Sequence, residues 1–252
     1  MTAQFASPSA STVDPAEVAR FSKLSAEWWD PAGKMAPLHK INPLRLAYIR
    51  DAACRKFDRS ARSLNCLAGL RILDIGCGAG LLCEPLTRLG AQVVGVDPSE
   101  SNIAAAKVHA ARSELLIDYR CTTIEEMGRH ERFDIVLAME VVEHVTDVGA
   151  FLDRCVAMTK PSGFMTVSTI NRTWKSFALA IVGAEYVLRW LPRGTHQWSK
   201  FVTPDELAHH LARNRLSVTD QAGVIYTPFA DRWSIAADTD VNYMLIAEST
   251  AG

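Results

Sequence analysis

From residue 70 onward, short apolar runs alternate with longer amphipathic stretches: RILDIG, AQVVGVD, LLIDYRC, FDIVLAM and GFMTVST, most of them followed by a segment with helical periodicity. That rhythm is βαβ and predicts a parallel sheet with helices on both faces. Further on, TPDELAHHLARN opens with Thr203 as cap, Pro204 in the first turn and Glu206 three residues after the cap, a capping box. Two closing strands are expected after it, one around 216–226 and one at NYMLIAES. Upstream, Asp14, Pro15 and Glu17 mark a helix start in the same way. The next segment, PLHKINPLRLAYIRDAACRKF, is broken by Pro37 and Pro43 and then places Leu46, Ile49 and Ala53 at helical spacing. The expected organisation is a disordered Ser/Ala/Pro/Thr tail over 1–13, a helical cap over 14–65, and one domain over 66–250 with a helical insertion at about 171–202.

Charge and cysteine usage narrow the function classes. The 252 residues carry 27 basic and 28 acidic side chains, and no run of five or six basic residues occurs, so nucleic acid is not an expected partner. Six cysteines without paired CxxC spacing suggest reduced thiols in the cytoplasm, and MTAQFASPSASTV lacks the pattern of a secretory signal.

The chemistry begins at LDIGCGAGLL, where Gly76, Gly78 and Gly80 follow the first predicted strand. A tight turn there lets backbone N–H groups approach a ligand. The dinucleotide fingerprint would need glycine at 81, where Leu81 stands, so a nicotinamide-dependent oxidoreductase is disfavoured. Asp74 argues in the same direction, because a carboxylate at the strand end repels a pyrophosphate and attracts an ammonium or sulfonium. S-adenosyl-L-methionine carries both cations. Asp97 ends the second predicted strand and can accept ribose hydroxyls of either cofactor. The alternative is that the glycines merely turn the chain and the two aspartates cap helices. In this order, followed by FDIVLAMEVVEHV and TKPSGFMTVST, the residues resemble the class I S-adenosylmethionine-dependent methyltransferases. The resemblance implies an α/β, Rossmann-like sheet, mostly parallel with an antiparallel last strand and helices on both faces.

Three further blocks, WWDPAGKMAPLHKINPLR (28–45), NRTWKSFALAIVGAEYVLRWLPRGTH (171–196) and TDVNYML (239–245), resemble the ubiquinone-biosynthesis O-methyltransferase family of bacteria and mitochondria. That resemblance implies methylation of a catechol-type hydroxyl on polyprenylated intermediates such as 3-demethylubiquinol and 2-polyprenyl-6-hydroxyphenol. It also implies cofactor contacts at Arg45, Gly76, Asp97 and Met139, to which the turn adds Asp74 and Gly78. Arg45 has a physical rationale in pairing with the methionyl carboxylate; its alternative is a solvated helix residue, and that of Met139 is a core position. Ser162 in TKPSG departs from the glycine frequent in such enzymes. Other readings are methylation of a different phenolic, or a membrane-associated scaffold that binds the cofactor without chemistry.

In MEVVEHV, Glu140, Glu143 and His144 stand at i, i+3 and i+4, so a helical turn would converge their heads. The resemblance associates this group with a divalent cation, usually magnesium, which could hold both catechol oxygens. A second reading makes His144 the general base with Glu140 orienting it, and a third leaves the three as a solvated face.

The stretch from Phe177 to Leu191 is densely apolar, but as a helix it extends about 22 Å, short of the roughly 30 Å hydrocarbon core. It reads either as a buried core helix or as a face lying on an anionic membrane surface, with Arg172, Lys175, Arg189, Arg193, Trp174 and Trp190 bracketing it over about 172–193. With a prenylated substrate, the second reading places the protein in the cytoplasm, peripherally on the inner membrane. Docking of other quinone-pathway enzymes is a further expectation.

Overall fold

Strand runs that are apolar on both faces need cover on both sides, and the structure supplies it. The computed structural model describes residues 11–177, 198–227 and 230–249. Five strands, β1 (Arg71–Ile75), β2 (Gln92–Asp97), β3 (Asp118–Cys121), β4 (Phe133–Met139) and β5 (Thr159–Ile170), pair in parallel. They continue into the antiparallel β6 (Leu216–Thr227), β7 (Arg232–Ala236) and β8 (Asn242–Ser249). The sheet order is β3-β2-β1-β4-β5-β8-β6-β7. The expected antiparallel last strand is β8. Three closing strands occur rather than the two expected, because β7 is a short, half-exposed edge strand with little apolar signal.

Successive strand residues point to opposite faces and build two cores. Ile72, Val93, Ile135 and Leu137 pack against α2 (Ala36–Lys56), α3 (Cys83–Arg88) and α4 (Glu100–Arg112). Leu73, Val94, Val136 and Leu245 pack against α5 (Val148–Met158) and α7 (Pro204–Arg213). Between those two helices the described residues include the helical turn α6 (Trp174–Ser176) and a 3-10 turn at Trp198–Lys200.

Two expected helix starts behave differently. Thr203 and Glu206 form the full capping box of α7. Asp14 caps α1 (Pro15–Ser22), but Glu17 turns away from the cap toward Arg20 and His144. Nor does Pro43 end a helix: α2 runs unbroken through it for 21 residues. The hydrogen bond and space that proline costs are offset by burial of Ile41, Tyr48, Ile49, Ala52 and Ala53 on the packed side of this helix. The end of the expected tail is also part of the fold, since Thr12 is buried and Val13 bridges to Val145.

Most of the 171–202 insertion, including Arg189, Trp190 and Arg193, lies outside the described residues. At its edges Arg172 pairs with Glu206, and Lys175 pairs with Asp238 and, at 3.3 Å, with Asp240. These two bracketing cations are therefore matched by carboxylates of the protein itself. Trp174 stacks on Trp198 and is 78% exposed. Among the described residues no helix is long and apolar enough to cross a membrane.

Candidate active site

The chain runs outward from β1 to β2 and β3, then crosses back to place β4 on the other side of β1. This reversal opens a crevice at the carboxyl ends of the central strands, the usual place for a ligand in such a sheet. A cavity of about 680 Å³ fills it, and Arg45, Asp74, Gly76, Asp97, Met139, Glu140, Glu143 and His144 all line it. Gly78 does not reach the wall.

The glycine turn is tighter than expected of a ligand cradle. Gly76 and Cys77 donate their N–H groups to the Val96 carbonyl at 2.8 and 3.1 Å, and Gly78 donates to Asp97 Oδ2 at 3.0 Å. These amides therefore bind the turn to β2 and not to a ligand. Gly78 has φ +54°, and a Cβ there would lie 2.4 Å from the Trp28 ring. The residue is glycine because backbone and indole both demand it. Trp28 is held in place by donating Nε1–H to Asn102 Oδ1 at 3.2 Å.

Asp74 sits at the floor, buried, and accepts the Cys83 thiol at 3.1 Å. Burial pushes its carboxyl up to about 7; the Cys83 hydrogen bond and Arg45 act against this, and the nearby Asp97 adds to it. Asp97 accepts from the Ser99 N–H at 2.8 Å as well as from Gly78 and Asn102. Burial still raises its carboxyl above the ordinary range. Two buried carboxylates on one cavity wall make a site whose empty form is electrostatically costly and which a cationic ligand relieves. Arg45, from α2, is buried, and its Nε has no hydrogen-bond partner among the described residues. Such an orphaned donor on the cavity wall fits an anionic group of a ligand. Asp74, Asp97 and Arg45 together suit the ammonium, ribose and carboxylate of S-adenosylmethionine.

Beside Arg45 the E-x-x-E-H group converges, though not as a helix. Glu140 follows β4 with φ +56°, and its N–H continues the ladder to the Ser168 carbonyl at 2.9 Å. Its Oε1 accepts from Arg45 at 2.6 Å, Ser168 Oγ at 2.8 Å and Asn242 Nδ2 at 3.0 Å. Only Val142–His144 form a helical turn, of the 3-10 type. Glu143 is buried and accepts from Thr169 Oγ1 at 2.7 Å; burial and the neighbouring Glu140 push its carboxyl well up. His144 places Nδ1 3.0 Å from Glu17 Oε2 and Nε2 4.0 Å from Glu143 Oε1. The carboxylate beside His144 Nδ1 is thus that of Glu17, which the E-x-x-E-H spacing does not include. Among the described residues no three His, Cys, Asp or Glu side chains are arranged to hold a metal ion. Glu140 Oε1 is taken by three donors and His144 Nδ1 by Glu17, while His144 Nε2 faces Glu143 Oε1.

Sequence reasoning missed Trp28 as the cover of the turn, Glu17 as the partner of His144, and Ser168, Thr169 and Asn242 as the donors that fix the two carboxylates. Trp28 and Asn242 stand in family-like blocks and Ser168 and Thr169 end the motif TKPSGFMTVST, but no local pattern pairs them, or Glu17, with the residues they meet.

The switch-point crevice, the acidic residues ending β1 and β2 and the antiparallel β8 define a class I S-adenosylmethionine-dependent methyltransferase. A methyltransferase-domain family model matches residues 45–221. The chain is 76% identical over 244 residues to the ubiquinone biosynthesis O-methyltransferase of Rhodopseudomonas palustris (strain BisB18), covering 97% of this chain and 96% of the relative. It is 79% identical over 238 residues to that of Bradyrhizobium sp. (strain ORS 278), covering 94% of each. Its fold is similar to that of the magnesium protoporphyrin IX methyltransferase from Synechocystis PCC 6803 with bound SAH, with a TM-score of 0.65, 16% identity, and coverage of 92% of this chain and 95% of that one. The chain belongs to the ubiquinone biosynthesis O-methyltransferase family.

Proposed function

We propose that this enzyme methylates a catechol-type hydroxyl of polyprenylated ring intermediates, 3-demethylubiquinol and 2-polyprenyl-6-hydroxyphenol. The observation that carries the reading is one cavity lined both by Arg45, Asp74 and Asp97 and by Glu140, Glu143 and His144. Apolar side chains such as Leu38, Ile41, Ile170 and Val224 line the same space and suit a ring with the start of a prenyl tail.

When bound, S-adenosylmethionine supplies an electrophilic methyl group on a sulfonium. Arg45 would hold its carboxylate, Asp74 its ammonium and Asp97 its ribose hydroxyls, with Gly76 and Met139 beside them. A phenol ionises near pH 10, so attack at neutral pH needs its proton removed. His144 would take that proton on Nε2 as the oxygen accepts the methyl group that the sulfonium, left as a thioether, would supply. Holding the two reactants in line supplies much of the remaining acceleration.

A second reading assigns Glu140, Glu143 and His144 to a divalent cation such as magnesium. It is favoured by the burial of Glu143 beside Glu140, a clustering of negative charge that a cation would offset. The three side chains would have to rearrange to bind it, and no step is assigned to it.

A prenyl tail also needs lipid. Exposed Trp174, beside the cavity-lining Lys175, supports a membrane-facing mouth at the cytoplasmic side of the inner membrane. Since Arg172 and Lys175 are paired internally, attraction to anionic lipid falls to Arg189 and Arg193. Reversing those two charges should reduce sedimentation with anionic liposomes and leave turnover of a tail-less catechol intact. Liposome binding unchanged by the reversal would make the segment core or a docking face for other enzymes.

Incubation of the purified protein with labelled S-adenosylmethionine and a demethylated quinol, with and without chelator, tests the whole reading. Label should pass to the quinol oxygen. Cofactor binding without transfer to any phenol would leave the scaffold reading standing.

A further inference from the structure

β6 outruns its neighbour. β8 begins at Asn242, opposite both Ile170 at the end of β5 and Val224 of β6, whereas β6 continues to Thr227. Ile225, Tyr226 and Thr227 are therefore paired with β7 alone, and at the ordinary strand rise the β6–β7 pair extends about 10 Å beyond the carboxyl end of β5. Val224, Tyr226 and Trp233 of this pair line the main cavity, with the Tyr226 and Trp233 rings 5.2 Å apart. α2 supplies further wall, since Arg45, Ile41, Leu38 and Pro37 line the same cavity at helical spacing. Lys40 fastens α2 to the strand pair by reaching the two Asp231 oxygens at 2.7 and 2.8 Å, and the Tyr226 hydroxyl donates to the same carboxylate at 2.7 Å.

A second cavity, of about 430 Å³, adjoins the first and shares Lys34, Pro37 and Trp233 with it. Its lysines are matched by Glu27 and Asp231, so their alkyl stems remain as apolar lining beside Trp233 and Pro37. We propose that the space between α2 and the β6–β7 pair is a site for the isoprenoid tail of the substrate, and that the second cavity is its outlet. The first isoprene units run from the ring past Ile41, Val224 and Leu38 to Trp233 and Pro37. Arg45 and Pro37 are separated by eight residues of helix, about 12 Å, which at ordinary bond lengths is the reach of about two to three isoprene units. The inference rests on the prenylated substrate proposed above.

The placement has a second consequence. Asn242 donates to Glu140 at 3.0 Å and pairs across the sheet with Val224, so the tail wall begins one strand away from the reacting group. A ring whose tail is held along that wall is no longer free to turn over, and one of its two hydroxyls is presented for methylation. Trp233 and Tyr226 supply broad ring surface for an apolar, unsaturated chain without any buried charge to desolvate. Trp233 is then a positioning residue for the ring as well as a contact for the tail.

Catechol and 3-prenylcatechols with one to four isoprene units, assayed with S-adenosylmethionine on the wild type, W233A and A36W, read both kcat/KM and which oxygen is methylated. In the wild type kcat/KM should rise over the first units, level off once the tail passes Trp233, and a single monomethyl isomer should form. W233A should lower the ratio of kcat/KM for the three-unit substrate to that for catechol by ~5- to 20-fold and give both isomers. A36W narrows the outlet and should lower the preference for the four-unit over the one-unit substrate by ~10-fold. A diazirine on the third isoprene unit, photolysed in the wild type with SAH bound, should label peptides containing Pro37 or Trp233; this arm needs no variant and decides the matter where a variant fails to fold. Labels confined to residues 174–198, or length preferences and isomer ratios that neither variant alters, would overturn the inference while the proposed substrate stands. Equal wild-type kcat/KM for catechol and all its prenylated forms would remove the prenylated substrate and the inference with it.

Discussion

Asp74 offers a sharp test of the cofactor site, because its carboxyl is poised near neutrality while its ordinary range lies about three units lower. Burial keeps it largely protonated in the empty site below pH 7. If the ammonium of the ligand docks against it, binding must ionise it and expel a proton. With an empty-site value of about 7 and a bound value near 4, the release is about 0.9 proton at pH 6, about 0.5 at pH 7 and about 0.1 at pH 8. By the same linkage SAH affinity should rise roughly 15-fold between pH 5.5 and 7.0. The stability of the empty protein carries the opposite sign. A carboxyl raised on folding contributes stability that is present below its unfolded value near 4 and lost as pH rises through about 7. The loss amounts to at most about 4 kcal/mol. Asp74→Asn removes the titration with little change of shape. The variant should bind SAH ~10-fold or more weakly at pH 7, approach the wild type near pH 5.5, and escape the wild type's loss of stability across that window. Calorimetry in two buffers of different ionisation enthalpy reads the proton count directly. Equal proton release by wild type and variant, or a wild-type affinity flat from pH 5.5 to 7.0, would refute the placement of the ammonium at Asp74.

Asp97→Ala should weaken SAH binding by about 1–3 kcal/mol and lower Tm as well, since the same carboxylate ties Gly78 and Ser99 to β2; unchanged calorimetric affinity would remove Asp97 from the site. Gly78→Ala meets both a φ of +54° and the Trp28 ring, so it should cost about 1–2 kcal/mol in backbone strain plus the displacement of the indole. Adding Trp28→Ala should recover part of the lost Tm, and no recovery would show that the backbone alone carries the cost. Glu143→Gln removes a carboxyl that burial and Glu140 hold well above its ordinary value. Its contribution is lost as pH rises through the folded value, so the variant should gain stability over wild type in alkaline thermal melts. Full activity after rigorous chelation, with residual metal confirmed as negligible, would dispose of the cation and leave His144 as the proton acceptor.

What the sequence made legible was whatever is encoded by neighbours along the chain. Alternating strand and helix, the Thr203–Glu206 box, the glycine turn and the two strand-ending aspartates are local patterns, and each is present where it was read. The failures occur where one residue type serves two purposes and tertiary contact chooses between them. Glu17 satisfies the spacing of a capping box, yet an imidazole 127 positions along the chain offers it a partner inside the fold. Pro43 satisfies the rule for a helix break, yet the apolar side of α2 is buried deeply enough to override it. Glu140, Glu143 and His144 have helical spacing, but Glu140 is still part of the strand ladder, and its left-handed backbone sends the carboxylate toward β5 and β8. The donors it meets there are contiguous only because β8 runs antiparallel beside β5, which pairs Ile170 with Asn242 and Ser168 with Met244. No single segment states that pairing. The acid–base group is therefore a property of the sheet order, whereas Asp74, Asp97 and the glycines belong to two strand ends and a turn, and this is why the cofactor is the easier of the two to read.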